Sequence, residues 1–333
     1  MINIYSLIAV LALSFVLTYL LRIYAIKKDV IDIPNERSSH SLPTPRGGGV
    51  AVVLSYLAVL AYMDLWLFFT AGLLVASIGW LDDHGHVKSV IRLFVHIIGS
   101  ALVVYQVGGL PDFVLLGFEI NLGMTGGVLA VIGLTWILNL YNFMDGIDGI
   151  AGVEAVTSTL IAGLIIWQVF GMQDQASLHF LLMASSLGFL LWNWPPAKIF
   201  MGDAGSGFLG LMLGALLLYS TSAAPEMLWV WLIMLGVFIV DATYTLLRRL
   251  IRGDKVYQAH RSHAYQYASR KLGGHLPVTF SVLAINLLWL APWAYAVATG
   301  LIDGFTGLFL AYLLILWLVW HFRAGETESN QIE

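Results

Sequence analysis

Four segments of this chain carry carboxylates in settings that could do chemistry: Asp82-Asp83; Asn142-Phe143-Met144-Asp145-Gly146-Ile147-Asp148-Gly149; Gly202-Asp203-Ala204-Gly205-Ser206; and Asp241, which leads into His260-Arg261-Ser262-His263. Cysteine is absent, which excludes disulfides, thiolate metal sites and cysteine nucleophiles, so a metal must use oxygen or imidazole ligands. A hard cation such as Mg²⁺ takes one or two carboxylates and completes its shell with water and substrate phosphates. Asp203 and Asn142 lead as its ligands. An EF-hand is excluded, because its repeated Asp/Asn run and closing Glu are missing. If the Asn142 segment begins a helix, Asp145 and Asp148 at i, i+3 share a face. Plainer readings exist for each acid taken singly. Asp203, ahead of Gly205-Ser206-Gly207, fits an ordinary helix N-cap, Asp148 fits a capped turn, and Asp82-Asp83 fit a solvated helix end near Lys88. Capping accounts for one carboxylate and leaves the others unexplained. Two acids at a helix C-terminus also oppose the helix dipole, so a cationic partner is expected for Asp82 and Asp83.

Basic groups accompany these acids. The segment Arg37-Ser38-Ser39-His40-Ser41-Leu42-Pro43-Thr44-Pro45-Arg46-Gly47-Gly48-Gly49 opens an apolar run. Glycines at a helix N-terminus free backbone N–H groups for a phosphate, and Arg37 and Arg46 could add bidentate contacts; a simple turn with topology-setting cations is the alternative. The longest basic connection runs from Arg248-Arg249 through His260, Arg261 and His263. Its two imidazoles lack a third zinc ligand at helical spacing, so phosphate binding by His260, Arg261 and His263 is the better functional reading.

The elements that must position these groups are membrane helices. The chain has 333 residues, 59% hydrophobic and 11% charged, against about 25% charged in a soluble domain. Eleven apolar runs, at 3–24, 47–63, 65–81, 89–107, 124–141, 149–170, 177–194, 205–221, 227–247, 277–297 and 301–321, approach the roughly 20 residues of a spanning helix. They are continuously apolar rather than alternating, which predicts an all-α polytopic bundle and not a barrel. The first run has no cation before Arg22 and no small-residue cleavage site, so it reads as a retained helix. All sixteen Lys and Arg residues fall in or beside alternate connections, while the others hold only the acids Asp64, Asp112, Glu119, Asp174, Glu226 and Asp303. The positive-inside rule then places the N-terminus outside, the C-terminus inside, and every chemical segment on the inner face. The organisation is one membrane domain, 1–325, and a polar tail, 326–333. A net charge of −4 without a long basic run gives no reason to expect a nucleic-acid partner.

Depth separates two classes of function. A transporter or flippase for an anionic lipid or sugar phosphate would place ionisable groups near the bilayer midplane. Here Arg92, His96, Glu154 and Asp241 lie within about two turns of the inner helix ends. Asn286, near a span centre, reads as an interhelical hydrogen bond. Surface chemistry is therefore favoured over transport.

Together, Asp82-Asp83, Asn142 to Gly149, Phe200-Met201-Gly202-Asp203-Ala204-Gly205-Ser206 and His260-Arg261-Ser262-His263 resemble the polyprenyl-phosphate N-acetylhexosamine-1-phosphate transferases, which include the phospho-N-acetylmuramoyl-pentapeptide transferases. The likeness runs from about residue 30 to 275, with motif order kept. It implies a bacterial inner-membrane enzyme, active on the cytoplasmic face, that moves a sugar-1-phosphate from a UDP-N-acetylamino sugar to undecaprenyl phosphate with Mg²⁺ or Mn²⁺ and releases UMP. By position, Asp203 and Asn142 look like metal ligands, Asp82 and Asp83 like the catalytic acidic pair, and Asp145 and Asp148 like acids of the nucleotide pocket. A triple-histidine run is absent, since Arg261 and Ser262 separate His260 from His263. With Arg37-Ser38-Ser39-His40 and Tyr141-Asn142-Phe143-Met144, the pattern looks closer to enzymes that initiate O-antigen or related surface polysaccharides. A CDP-alcohol phosphotransferase is disfavoured, because no Arg follows Asp145-Gly146 in the required place. A homodimer is the assembly carried forward, with no residue assigned to its contact.

Overall fold

Apolar length dictates the architecture, and each of the eleven runs forms helix. The computed structural model describes residues 3–34, 42–85, 87–254 and 260–327; Arg37 and His40 lie outside them, as does most of the 326–333 tail. In chain order the elements are α1 Ile4–Lys27, β1 Ile31–Asp32, β2 Thr44–Pro45, α2 Val50–Tyr62, α3 Trp66–His84, α4 Ser89–Val107, β3 Phe113–Leu115, β4 Phe118–Ile120, α5 Gly123–Met144, α6 Ile150–Gln168 and α7 Gln173–Asn193. Then follow α8 Asp203–Thr221, α9 Met227–Met234, α10 Gly236–Ile251, α11 Ala264–Lys271, α12 His275–Ala284, a π-helical turn Ile285–Leu290, α13 Ala291–Ala298 and α14 Gly304–His321. The strands form two small antiparallel pairs, β1–β2 and β3–β4.

Among the described residues, nine helical stretches are long and apolar enough to cross a membrane, taking Gly274-flanked His275–Ala298 as one. A tenth is the α9–α10 pair, which the sequence presents as one run but which bends by 67°. The eleventh run, α2, has only 13 residues. The chain is a multi-span membrane protein. Its outer shell is correspondingly apolar: Tyr62, Phe94, Met124, Leu288 and Trp320 are all well exposed, an arrangement that suits lipid and not water.

Helix α8 is the axis of this bundle. It is buried along nearly its whole length and packs against α3 and α5. Small residues permit the approach: a Cβ on Gly49 would stand 2.5 Å from the Cα of Gly205, and one on Gly79 would stand 2.6 Å from the backbone of Asp203 and Ala204. The starts of α2 and α8 and the end of α3 therefore meet at one point, and that point is where the acids lie.

Candidate active site

The centre of the cluster is Asp203, the first residue of α8. It does not cap its own helix. That task falls to Asp83 from α3, whose Oδ1 accepts the N–H of Asp203 at 2.9 Å and whose Oδ2 accepts the N–H of Ala204 at 3.2 Å. The helix dipole that disfavours Asp83 at the end of α3 is answered by the positive start of α8. Gly202 makes this possible: its φ of +79° suits glycine, and a Cβ there would lie 2.7 Å from Asp83 Oδ2. With capping supplied from outside, the Asp203 carboxylate is released for other partners.

Those partners are two arginines. Arg46 Nη2 lies 2.7 Å from Asp203 Oδ1 and 2.9 Å from Asp83 Oδ1. Arg92 Nη1 lies 3.0 Å from Asp203 Oδ2 and also pairs with Asp82 Oδ2, while Asp82 Oδ1 accepts the N–H of Val87 at 3.0 Å. Burial works against the Arg46 charge, but Asp83, Asp203 and Asp32 outweigh it and raise its pKa. The cationic partner expected for Asp82 and Asp83 is thus Arg46 and Arg92 rather than Lys88. Arg92, in the first turn of α4, belongs to none of the acidic or basic segments of the sequence; its mark is a cation at the start of an apolar run.

The donor set fits a hard divalent cation. Asn142 lies in the last turn of α5 and its Nδ2 donates to Ser206 Oγ at 2.8 Å, so Oδ1 is the atom left to act as a ligand. Among the described residues, no group of three or more His, Asp, Glu or Cys side chains converges on one ion position. Two protein oxygens, from Asp203 and Asn142, with the remainder supplied by water and phosphate, match the way Mg²⁺ is usually held.

The structure separates Asp145 from Asp148. The segment does not begin a helix: Asp145 caps the C-terminus of α5 and Asp148 lies in the turn before α6, so the shared helical face is not formed. The two glycines and the left-handed φ of +77° at Gly149 keep the chain in a turn. Asp145 points to the acidic cluster. Its burial, with the charges of Asp203, Asp83 and Asp148, drives its pKa well above the usual carboxylate range against the opposing Arg46. Asp148 turns away. Its Oδ2 accepts the N–H of Ala197 at 3.0 Å and its Oδ1 pairs with His275 Nδ1 at 3.1 Å. It lines a cavity of about 590 Å³ together with Thr44, Phe200, Arg270, His275 and Pro277.

The glycine run does not form a phosphate cradle from its own amides. Gly48 and Gly49 donate to the carbonyls of Phe200 and Met201 at 2.8 and 2.9 Å; they join the start of α2 to the approach to α8. The His segment is fixed by Asp241, the carboxylate that leads into it. Asp241 Oδ1 is 3.3 Å from His263 Nδ1 and accepts the N–H of Ala264 at 3.0 Å, while Oδ2 accepts that of Tyr265 at 3.1 Å. Tyr265 then donates its hydroxyl to the Phe143 carbonyl at 2.9 Å, joining this segment to the Asn142 turn. Burial, with the neighbouring His263 and Arg249, pushes the His260 pKa down to about 3. Its imidazole is neutral near pH 7. The Arg261 carbonyl is approached by Arg270 at 3.4 Å. Past α14, the Gly325 N–H donates to the Ser262 carbonyl at 2.7 Å, and Arg248 pairs with Glu326 at 2.9 Å.

Comparison with known proteins finds similarity along most of the chain. The glycosyl transferase family 4 model matches residues 65–221, from α3 to the end of α8. A Bacillus subtilis protein named as the probable undecaprenyl-phosphate N-acetylglucosaminyl 1-phosphate transferase is 29% identical over 91% of this chain and 86% of its own length. The undecaprenyl-phosphate alpha-N-acetylglucosaminyl 1-phosphate transferase of Thermotoga maritima is 28% identical over 85% of this chain and 89% of its own. A phospho-N-acetylmuramoyl-pentapeptide-transferase of Streptococcus pneumoniae is 30% identical over 66% of this chain and 72% of its own.

Proposed function

Since this chain belongs to glycosyl transferase family 4, the polyprenyl-phosphate N-acetylhexosamine-1-phosphate transferases, we propose that it transfers an N-acetylamino-sugar 1-phosphate from a UDP-sugar to undecaprenyl phosphate. UMP is the leaving product, and the reaction starts an O-antigen or other surface polysaccharide. The observation that carries the reading is the meeting of Asp203, Asn142, Asp82, Arg46 and Arg92 at one end of a membrane bundle. Cations in alternate connections support a cytoplasmic location for that end in a bacterial inner membrane.

Phosphoryl transfer requires mainly positioning and neutralisation of charge. A lipid phosphomonoester, with a second pKa of about 6, is largely dianionic near neutral pH and can attack the β-phosphorus directly. Mg²⁺ or Mn²⁺ on Asp203 and Asn142 would supply charge neutralisation to the diphosphate. Arg46 and Arg92 bring guanidinium donors to the same place, where phosphate oxygens would compete for them with Asp203. Asp82 orients the attacking phosphate or accepts its proton; Asp83, with both oxygens engaged by α8, keeps Asp203 in place. Asp148 and its cavity serve the nucleotide end, and His260, Arg261 and His263 offer further hydrogen bonds to phosphate.

The test is to incubate purified protein with undecaprenyl phosphate, Mg²⁺ and a panel of UDP-N-acetylamino sugars and to measure UMP. Release with at least one sugar, abolished by chelation and restored by Mg²⁺ or Mn²⁺, is expected. No release from any sugar, with Asp203→Asn indistinguishable from the parent, would sink the reading.

A further inference from the structure

Helix α12 meets the site at Asp148, through His275 and Thr279. His275 Nδ1 lies 3.1 Å from Asp148 Oδ1 and 3.3 Å from the Asp148 backbone nitrogen. Thr279, one turn on, donates its hydroxyl to the Asp148 carbonyl at 2.7 Å. The next residue is held from the opposite side, as the Gly149 N–H donates to Asn193 Oδ1 at 2.9 Å. With His275 Nδ1 protonated and donating to the carboxylate, it does not also accept from the amide, so α12 fixes Asp148 at its carboxylate and its carbonyl, more than a solvated turn requires.

The same face of this span is anchored deeper in the bundle. Asn286, in the π-helical turn, donates from Nδ2 to Glu154 Oε2 at 2.7 Å and to Thr157 Oγ1 at 2.8 Å. At about 100° per residue, positions 275, 279 and 286 fall within roughly 40° of arc, so one stripe makes every contact. Glu154 and Asn286 are wholly buried, and polar groups at such depth are costly unless they fix an arrangement. The bonds of His275 and Thr279 fall on Asp148 itself, which also accepts the N–H of Ala197 in the connection leading to α8.

We infer that His275 and Thr279 are positioning residues that hold Asp148 toward the nucleotide sugar, so that α12 governs how well the donor is bound and leaves the lipid acceptor unaffected. This rests on the transferase reading given above. His275 also lines the cavity that Asp148 borders, so its imidazole orders that wall.

The experiment is steady-state UMP release by the full chain, varying UDP-sugar and undecaprenyl phosphate separately. His275→Ala is expected to raise KM for the UDP-sugar about ten-fold, the effect of one hydrogen bond to a charged group, with KM for the lipid unchanged. His275→Asn should recover most of this, because its side-chain nitrogen can occupy the place of Nδ1; His275→Gln, whose amide reaches further, should not. A parent-like donor KM in His275→Ala, an equal rise in both KM values, or equal rescue by Asn and Gln would overturn the inference. If His275→Ala fails to fold, as read from its thermal midpoint in detergent, Thr279→Val decides: a raised donor KM supports the inference and an unchanged one overturns it. An active parent with unshifted variants defeats this inference alone, whereas a parent that releases no UMP defeats the transferase reading with it.

Discussion

At one end of the bundle, residues from α3, α4, α8 and the segment leading into α2 meet through charge: Arg46 reaches Asp83 and Asp203, and Arg92 reaches Asp82 and Asp203. At the other end of the bundle, where α9, β3 and the start of α14 meet, contact is made by rings. Trp229 packs edge-on against Phe113 and Phe305, with centroids 6.3 and 6.5 Å away, and gives its indole N–H to the Val114 carbonyl at 2.8 Å. Both ends close a bundle, so closure alone does not call for carboxylates. Aromatic packing and one hydrogen bond suffice for structure, and the density of opposed charge at the first end is surplus to it. That surplus is the physical argument for chemistry there.

Substitutions can break or sharpen this contrast. The largest effect is expected from Asp203→Asn, which keeps shape but removes the charge shared by Arg46 and Arg92. UMP release should fall by about 10²–10³-fold, the usual cost of losing one electrostatic stabiliser, with the thermal midpoint near that of the parent. Next is Asp83→Ala, which uncaps α8 and leaves Arg46 with Asp203 as its near carboxylate. It should cost about 1–2 kcal/mol of stability and also lower the rate, because Asp203 loses its support; Asp83→Asn, still able to cap, should restore most of the stability. A denaturation midpoint unchanged in Asp83→Ala would show that the cap is not needed.

Asp145→Asn should separate stability from activity. The folded pKa of Asp145 is raised, so the folded state binds the proton more tightly than the unfolded chain. Its favourable contribution is present at low pH and is lost as pH rises from the ordinary carboxylate range towards the raised folded value. The neutral amide removes that loss: the thermal midpoint above pH 5 should rise and its pH dependence flatten, while UMP release falls. A midpoint that drops at pH 7 would contradict the burial argument. The smallest effect belongs to the aromatic end, where Trp229→Phe should cost about 1 kcal/mol for one hydrogen bond and leave kcat and both KM values unchanged. A lost rate in Trp229→Phe would erase the distinction between the ends.

Much of this was legible without coordinates, for reasons of scale. Apolar length is a property of consecutive residues, so all eleven runs emerge as helix; Asp203 and Asn142 are brought together from segments that composition already marked. What escaped depends on direction. Hydropathy carries no angle, so the bend between α9 and α10 lies inside one apolar run. Asp82 and Asp83 are neighbours in sequence with different tasks, because the helix turns one toward Arg92 and Val87 and the other toward the amides of α8. The Gly47-Gly48-Gly49 run was readable as a phosphate loop or a turn, and only the positions of Phe200 and Met201 decide between them. His275 and Thr279 sit in no motif, and Asn286 showed its interhelical bond but not its partner.

The bond from Gly325 to the Ser262 carbonyl sets a timetable. Ribosomal synthesis delivers the His segment long before it delivers residues 322–326, and α11 to α14 must be threaded in between. Until α14 is inserted, Ser262 lacks that donor and Arg248 lacks Glu326. The nascent protein can therefore assemble its acidic cluster early but cannot finish the neighbouring basic segment, and a handle fused close behind Glu326 would pull on that segment from a distance in sequence that conceals how near it is in space.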